Sequence, residues 1–243
     1  EAVQRLQTAQ RETLRHDQLA ALGQLAAGLA HELRNPLTAI RTLVEVARER
    51  NPSAQLDGRD LEVVDEELTR LDATLQSFLD YARPPKLERR EIDLRDVVRR
   101  TVQLVTPRAD QQAVKLNVTL PAEQLSINAD AEQLRQVLLN LLLNALDALG
   151  SGGQVAVTAR KDAAAGDLVL EVADNGPGIP ESIRSTLFDP FVSSKPSGTG
   201  LGLTICRRIV ENHGGTITAH NAPGGGAVFT IRLPLNTSLN PES

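Results

Sequence analysis

A histidine followed directly by a carboxylate is the pair of residues in this chain best suited to nucleophilic chemistry. His31 and Glu32 begin the heptapeptide HELRNPL, which lies within a helical pattern at residues 31–37. A neutral imidazole is available near pH 7, and the glutamate beside it can accept the ring proton or fix the tautomer. Because His31 is two residues from both Leu29 and Leu33 of an apolar seam, we expect its ring to face outward, toward a second domain or another protein. On these grounds alone, an ordinary surface histidine is the competing interpretation.

Two asparagines on one predicted helix form a second candidate site. The segment 131–149 has an apolar face rich in leucine, and Asn140, Asn144 and Asp147 follow one another on its polar face. Asparagine is unfavourable inside helices, so two of them one turn apart favour a ligand surface over simply exposed amides. Amide oxygens can serve Mg²⁺, which keeps several waters and binds mainly through phosphates.

Two glycine-rich turns indicate a nucleotide. Asp174 precedes Gly176 and Gly178 in a tight turn, where the carboxylate can accept a hydrogen bond from an amino group such as that of adenine. A second turn consists of Gly198, Thr199, Gly200, Leu201 and Gly202. This turn opens a predicted helix, whose first N–H groups and dipole favour a phosphate. It matches neither the P-loop pattern nor a Rossmann βαβ unit.

Other reactive side chains are assigned more ordinary roles. Lys195 lies in a Ser- and Pro-rich segment at 179–196, predicted to be a mobile lid, where its ammonium can meet a terminal phosphate or remain a solvated loop charge. Cys206 is expected to be a small buried residue. The residues 224–226 are expected to form a hairpin turn. No zinc site is expected, because the remaining histidines lack partners at metal spacing: His16, His213 and His220.

Composition narrows the class of protein. The net charge of -5 argues against broad nucleic-acid binding, so no nucleic-acid partner is expected. One cysteine excludes an internal disulfide and fits a reducing compartment such as the cytoplasm. No apolar run is long enough to cross a bilayer. The sequence contains no Met, even at position 1, so we expect a fragment whose membrane contact, if any, lies in an N-terminal region outside it.

The first 83 residues are predicted to be helical. A first apolar seam, with a stutter and an expected bend near Pro36, comprises Leu22, Ala26, Leu29, Leu33, Leu37, Ile40, Val44 and Ala47. After a loop at residues 51–58, a second stripe comprises Leu61, Val64, Leu68, Leu71, Leu75, Phe78 and Ala82. Two such helices form an antiparallel hairpin, which can bury a full stripe only as a dimeric four-helix bundle. The sequence therefore predicts a homodimer.

The remainder alternates helix and strand after the prolines at 84 and 85 end the second helix. Helices are predicted at 93–105, where Asp93 is a candidate cap, and at 131–149 and 201–213. Strands are predicted at 114–120, 154–160, 167–173, 216–220 and 227–233. The fold class is therefore multidomain, an all-α hairpin followed by an α+β sandwich. Its predicted limits are 1–83 for the hairpin domain with a coiled-coil linker at 1–18, a hinge at 84–90, the sandwich at 91–237 and a tail at 238–243.

Taken in order and spacing, these motifs resemble the boxes of the catalytic core of a bacterial sensor histidine kinase over nearly the whole chain. His31, Glu32, Asn35 and Pro36 resemble the H box. The remaining boxes correspond to Asn140–Asn144, Asp174–Gly178, Phe188–Phe191 and Gly198–Gly202. Many members carry an arginine soon after the F box, whereas this chain has Lys195. In this respect it is similar to the nitrogen-regulation branch of the family.

The resemblance implies a dimerising phosphotransfer hairpin joined to an ATP-binding domain of the gyrase B and Hsp90 type. It implies that ATP phosphorylates His31, with Glu32 as base, and that the group passes to an aspartate of a response regulator. Asn35 would orient water when phosphate is removed from that regulator. The implied nucleotide contacts are Asn144 as the main Mg²⁺ ligand, Asn140 in support of the phosphates, Asp174 at the adenine, the backbone of Gly200, Leu201 and Gly202 at the phosphates, and Lys195 in place of the arginine.

Two other functions remain open at this level. One is an ATPase or clamp of the gyrase and Hsp90 type that forms no phosphohistidine, against which the heptapeptide at His31 argues. The other is a non-catalytic dimeric scaffold, against which Asn144, Asp174 and Gly200 argue together.

Overall fold

The computed structural model describes residues 30, 33–49, 58–82, 87–193, 195 and 200–235. The chain divides into two compact units, Glu1–Pro85 and Lys86–Ser243. The predicted linker at 1–18, most of the predicted loop at 51–58 and the tail at 238–243 lie outside the described residues. No helix in the described part of the chain is long and apolar enough to cross a bilayer.

The described part of the first unit contains two helices, α1 at residues 33–49 and α2 at Gly58–Ala82. On each helix the predicted apolar stripe separates into a half-buried and an exposed series, both at heptad spacing. The half-buried series are Leu33, Ile40 and Ala47 on α1, and Val64, Leu71 and Phe78 on α2. The exposed series are Leu37 and Val44 on α1, and Leu61, Leu68 and Leu75 on α2. Within one chain, therefore, each helix leaves half of its stripe uncovered.

The second unit is an α+β sandwich, as predicted. Its strands are β1 at Arg90–Asp93, β2 at Lys115–Thr119, β3 at Ser126–Ala129, β4 at Gln154–Asp162, β5 at Asp167–Asp174, β6 at Thr216–Asn221 and β7 at Ala227–Pro234. Its helices are α3 at Leu94–Gln111, α4 at Ala131–Leu149, α5 at Glu181–Arg184 and α6 at Gly202–Asn212. The order in the main sheet is β2-β4-β5-β7-β6, in which only the β2–β4 pair is parallel.

The helices cover one face of this sheet because buried and less buried side chains alternate along its strands. On β7, for example, Ala227, Phe229, Ile231 and Leu233 are buried and the residues between them are half-buried. The helix α4 lies between α3 and α6 and contacts β4 and β5. Its leucines at 138, 141, 142 and 146 are fully buried, so the core beneath this helix is aliphatic. The polar face of α4 is thereby fixed beside α6.

Four elements differ from the sequence prediction, and one of them is the short helix α5, which lies within the segment predicted to be a mobile lid. The helix α3 was expected to end at Val105, but it continues through Pro107 to Gln111, and the burial of Ala109 against the core accounts for the extra turn. The strands β1 and β3 were not predicted. They pair antiparallel with each other, Ile92 opposite Ile127, and at four residues each they are too short to show a period. Arg90, the last residue of the predicted hinge, is the first residue of β1.

The predicted cap of α3 is confirmed. The Asp93 carboxylate accepts a hydrogen bond from the Arg95 backbone N–H at 3.0 Å and pairs with the Arg95 guanidinium at 2.7 Å. These contacts, with the guanidinium hydrogen bond the largest, hold the pKa of Asp93 below its usual range.

Candidate functional site

The polar face of α4 brings the two asparagines into contact. The Asn144 Nδ2 donates to Asn140 Oδ1 at 2.9 Å, which leaves Asn144 Oδ1 directed away from its neighbour. That oxygen accepts a hydrogen bond from the Lys195 ammonium at 3.2 Å. Both amides are half-buried. An amide oxygen that already faces a cation has the chemistry of a Mg²⁺ ligand, so Asn144 fits the metal role expected from the sequence.

The N-terminus of α6 lies beside this pair. A Cβ on Gly202 would stand 2.5 Å from Asn140 Nδ2, so a larger residue there would displace the Asn140 amide. No described side chain caps α6. The first-turn N–H groups and the dipole of such a helix favour a phosphate at this end. Of the five residues predicted in this turn, Gly198 and Thr199 lie outside the described residues.

Gly200 joins the F box to the same turn. It has a φ of 65°, and a Cβ there would collide with the backbone of Phe191 and Val192. The Phe191 N–H donates to the Gly200 carbonyl at 3.1 Å. Leu201 is fully buried and anchors the start of the helix. Glycine is thus required at position 200 both by its backbone conformation and by the lack of room for a side chain. The F box and the glycine-rich turn before α6 therefore form one structural unit.

Asp174 is the last residue of β5 and is buried, at 8 % exposed. Its Oδ1 accepts hydrogen bonds from the N–H groups of Gly176 at 2.9 Å and Ala227 at 3.3 Å. Because both bonds found among the described residues fall on Oδ1, Oδ2 keeps its lone pairs for an amino group of a ligand. This geometry suits the adenine contact expected for Asp174.

Two further residues shape this turn: Asn221, which was not marked by the sequence, and Gly226 of the predicted hairpin turn. The Asn221 side chain accepts from the Ile179 N–H at 2.7 Å and donates to the Ile179 carbonyl at 3.0 Å, just after Gly178. Gly226, with a φ of 91°, packs its backbone directly on that of Asp174. The hairpin turn predicted at 224–226 is confirmed, since β6 and β7 pair on either side of it. Both contacts join segments distant in sequence, so no local signal marked Asn221.

A charged cluster extends from the asparagines along α4. Asp147 Oδ2 lies 2.8 Å from the Lys195 ammonium, and Asp147 Oδ1 lies 2.5 Å from the Arg108 guanidinium. The predicted nucleotide residues Asn140, Asn144, Asp147 and Lys195 are therefore one connected group. The structure adds Arg108 of α3 to it, a residue that the sequence analysis did not select.

The remaining candidates lie elsewhere. His31 and Glu32 are outside the described residues, and Asn35 lies exposed on α1 in the other unit. Cys206 is buried as predicted, and burial raises the pKa of its thiol to about 12, so it is not a nucleophile near neutral pH. His213 is buried at the end of α6 between Ile209 and Asp130, which is a structural position.

Both units match known protein families. Residues 21–86 match the family described as the His Kinase A (phospho-acceptor) domain. Residues 129–237 match the family of histidine kinase-, DNA gyrase B- and HSP90-like ATPases. The phospho-acceptor match includes His31. The ATPase match includes every nucleotide-site residue expected from the sequence.

Individual proteins agree with these families. The sensor histidine kinase ZraS of Klebsiella oxytoca is 41% identical over 233 residues, which cover 96% of this chain and 50% of ZraS. The chain thus spans about half the length of the curated relatives it matches. The catalytic domain of histidine kinase ThkA aligns with a TM-score of 0.57 and 34% identity, over 61% of this chain and 96% of that domain. Histidine kinase ThkA in complex with the response regulator protein TrrA aligns with a TM-score of 0.79 and 30% identity, over 94% of this chain and 66% of ThkA.

The narrower similarity to the nitrogen-regulation branch stays a prediction. The matches show a phospho-acceptor domain followed by an ATPase domain of the histidine kinase, gyrase B and Hsp90 type in one chain. Within the second domain, Asn144, Asp174 and Gly200 have the geometry described above. The chain belongs to the sensor histidine kinase family.

Proposed function

We propose that this chain is the catalytic core of a two-component sensor histidine kinase, in which ATP phosphorylates His31 and the group then passes to an aspartate of a response regulator. The observation that carries the proposal is the placement of Asn140, Asn144 and Lys195 beside the N-terminus of α6, which no side chain among the described residues caps. This is a preformed place for a nucleotide phosphate chain. The phospho-acceptor match over residues 21–86 supplies the acceptor in the same chain.

In the first step a ring nitrogen of His31 attacks the γ-phosphorus of ATP. The bond from that phosphorus to the β,γ-bridging oxygen breaks, and ADP leaves with the electron pair. Glu32 accepts the proton that the other ring nitrogen loses. In the second step a carboxylate oxygen of the regulator attacks the same phosphorus, the phosphorus–nitrogen bond breaks with its electron pair on the ring nitrogen, and the proton returned by Glu32 restores the neutral imidazole. Positioning and charge neutralisation supply most of the catalysis in such transfers.

The residues of the second unit divide the nucleotide between them. We assign the adenine amino group to Asp174, within the turn shaped by Gly176 and Gly178. We assign the phosphates to Asn140, Lys195 and the turn made of Gly198, Thr199, Gly200, Leu201 and Gly202. Asn144 would hold Mg²⁺ through Oδ1, and the ion would neutralise phosphate charge. Asp147 belongs to the same group through Lys195.

The partners follow from the first unit. We propose that it forms a homodimer, because the leucines left exposed on α2 recur at heptad spacing. A receiver domain is the proposed second partner, supported by the ThkA neighbour, which is in complex with the response regulator TrrA. Asn35 is exposed on α1 and is the proposed residue for a phosphatase reaction on that partner.

The domain limits and location belong to the same proposal. We propose a dimerisation and phosphotransfer domain at 1–83, a hinge at 84–90 and an ATP-binding domain at 91–237. The division of the chain between Pro85 and Lys86 supports this boundary. The reaction is assigned to the cytoplasm, where ATP is supplied, with any membrane contact made by a region N-terminal to this sequence.

The proposal is tested by incubating the chain with γ-labelled ATP and Mg²⁺. We expect label that is acid-labile and base-stable, as for a phosphohistidine, and we expect it to chase onto a receiver domain. His31→Ala should lose the label and keep ATP binding measured by calorimetry, because His31 lies outside the ATPase match. His220→Gln, which changes an exposed histidine of β6, is the control and should label normally. Label retained by His31→Ala would overturn the assignment of the acceptor, and phosphate release without label would favour an ATPase or clamp.

A further inference from the structure

The carboxylate of Asp147 contacts two cations from two different elements. Its Oδ1 pairs with Arg108 near the end of α3, and its Oδ2 pairs with Lys195 in the segment before α6. The Lys195 ammonium in turn reaches Asn144 Oδ1 at 3.2 Å. One lysine is therefore shared between a carboxylate and the amide oxygen that we assign to Mg²⁺.

A carboxylate beside a nucleotide phosphate site needs an explanation. A phosphate chain and Asp147 repel each other, so direct contact of Asp147 with phosphate would be unfavourable. Both anions attract the same ammonium. Since the side chains of Lys195 and Asp147 are 31% and 34% exposed, their ion pair is weak enough to be exchanged for a stronger partner.

We infer that Asp147 is a positioning residue for Lys195: it holds the ammonium at Asn144, and the lysine serves the phosphates of ATP only by leaving this carboxylate. The inference rests on the proposed function and assigns Asp147 an indirect part in nucleotide binding. Arg108 keeps the carboxylate in place, because it pairs with the oxygen that Lys195 does not use. The competition lowers the affinity for nucleotide while it keeps the lysine beside the metal ligand.

A double-mutant cycle on the 243-residue chain tests this. The affinity for a non-hydrolysable ATP analogue with Mg²⁺ is measured by calorimetry in four proteins: wild type, Asp147→Asn, Lys195→Met and the double variant. Asp147→Asn should tighten binding about two- to fivefold, the worth of one partly exposed ion pair. In the Lys195→Met background the same change should have no effect, because the ammonium for which the two anions compete is gone.

Two controls separate this coupling from other effects. Glu132→Gln removes one negative charge from the first turn of α4 together with its exposed pair to Arg135, and it should leave the affinity unchanged. Arg99→Gln removes an exposed arginine of α3 together with its pair to Asp96, and it should also leave the affinity unchanged. Thermal unfolding of each variant identifies any loss of folded protein.

The affinities of the four proteins decide whether Asp147 acts through Lys195. Tightening by Asp147→Asn only when Lys195 is present supports the inference. Equal tightening in both backgrounds would mean a general charge effect and would overturn it, as would no change in either background. If the wild type itself fails to bind the analogue, the proposed function fails, and this outcome is distinct from bound nucleotide without coupling.

Discussion

At the residue scale, Asn221 shows how one side chain can position a loop. Its amide forms two hydrogen bonds with the backbone of Ile179, at 2.7 and 3.0 Å, and so engages both the N–H and the carbonyl of that residue. A Cβ on Gly178 would stand 2.9 Å from the same amide, so the loop and the side chain fit only with glycine there. The position of the turn that follows Asp174 therefore depends on β6.

We predict that Asn221→Ala weakens ATP binding and lowers the free energy of unfolding by about 1–2 kcal/mol, the net worth of two hydrogen bonds. Calorimetry and urea unfolding measure the two effects. Asn221→Asp should be intermediate, because it keeps the acceptor for the Ile179 N–H and loses the donor to the carbonyl. Asn117→Ala on β2, which removes one exposed contact of 3.5 Å, is the matched control. Unchanged nucleotide affinity in Asn221→Ala would contradict the positioning role.

At the scale of elements, one buried cluster joins α4, α6 and the segment before β1. Asp130 caps α4 by accepting from Glu132 and Gln133, and its other oxygen accepts from the Glu88 N–H at 2.9 Å. The Asp130 N–H donates to His213 Nε2 at 3.0 Å, and His213 Nδ1 donates to the Ile209 carbonyl at 2.8 Å. The imidazole is thus neutral, with its proton on Nδ1.

This cluster gives the second unit a dependence on pH. Burial is the main cause that lowers the pKa of His213 below its usual 6.5, and the nearby Arg89 adds to it, while Ile209 and Asp130 oppose it. The unfolded chain therefore takes up this proton first as the pH falls. The stability is complete above about pH 6.5 and decreases as the pH falls below that value, by at most about 1.4 kcal/mol per pH unit.

We predict that His213→Gln flattens this decrease between pH 6.5 and the lowered pKa, because glutamine can accept from Asp130 without titrating. Urea unfolding at a series of pH values measures the difference from wild type. His220→Gln on β6 changes an exposed histidine and should retain the slope of the wild type. The role assigned to His213 is wrong if His213→Gln and wild type decline in parallel.

The elements also show how far sequence reasoning reaches. The long helix α4 and the strands β4, β5 and β7 were predicted because each has a clear period and a buried face. The short strands β1 and β3 were missed, since four residues cannot show a period. Within the site, Asn140, Asn144, Asp174 and Gly200 were marked by unusual residue types. Arg108 and Asn221 were not, because their importance comes from contacts across the fold.

At the scale of the whole molecule, the exposed leucine row of α2 predicts a dimer. Leu61, Leu68 and Leu75 of α2 are 53%, 49% and 44% exposed in one chain, a regular apolar row that a second copy can cover. We predict that Leu68→Glu combined with Leu75→Glu converts a dimer into a monomer, because burial of each leucine contributes about 1.5–3 kcal/mol. Light scattering coupled to gel filtration measures the mass.

The control for this change is a leucine that is still more exposed but lies in the other unit. Leu104 on α3 is 58% exposed, so Leu104→Glu adds the same charge to a surface that the dimer does not need. It should leave the mass of the dimer unchanged. ATP binding should survive in both variants, because the nucleotide residues lie in the unit Lys86–Ser243. A dimer that persists in the α2 double variant, or that dissociates with Leu104→Glu, would place the interface elsewhere.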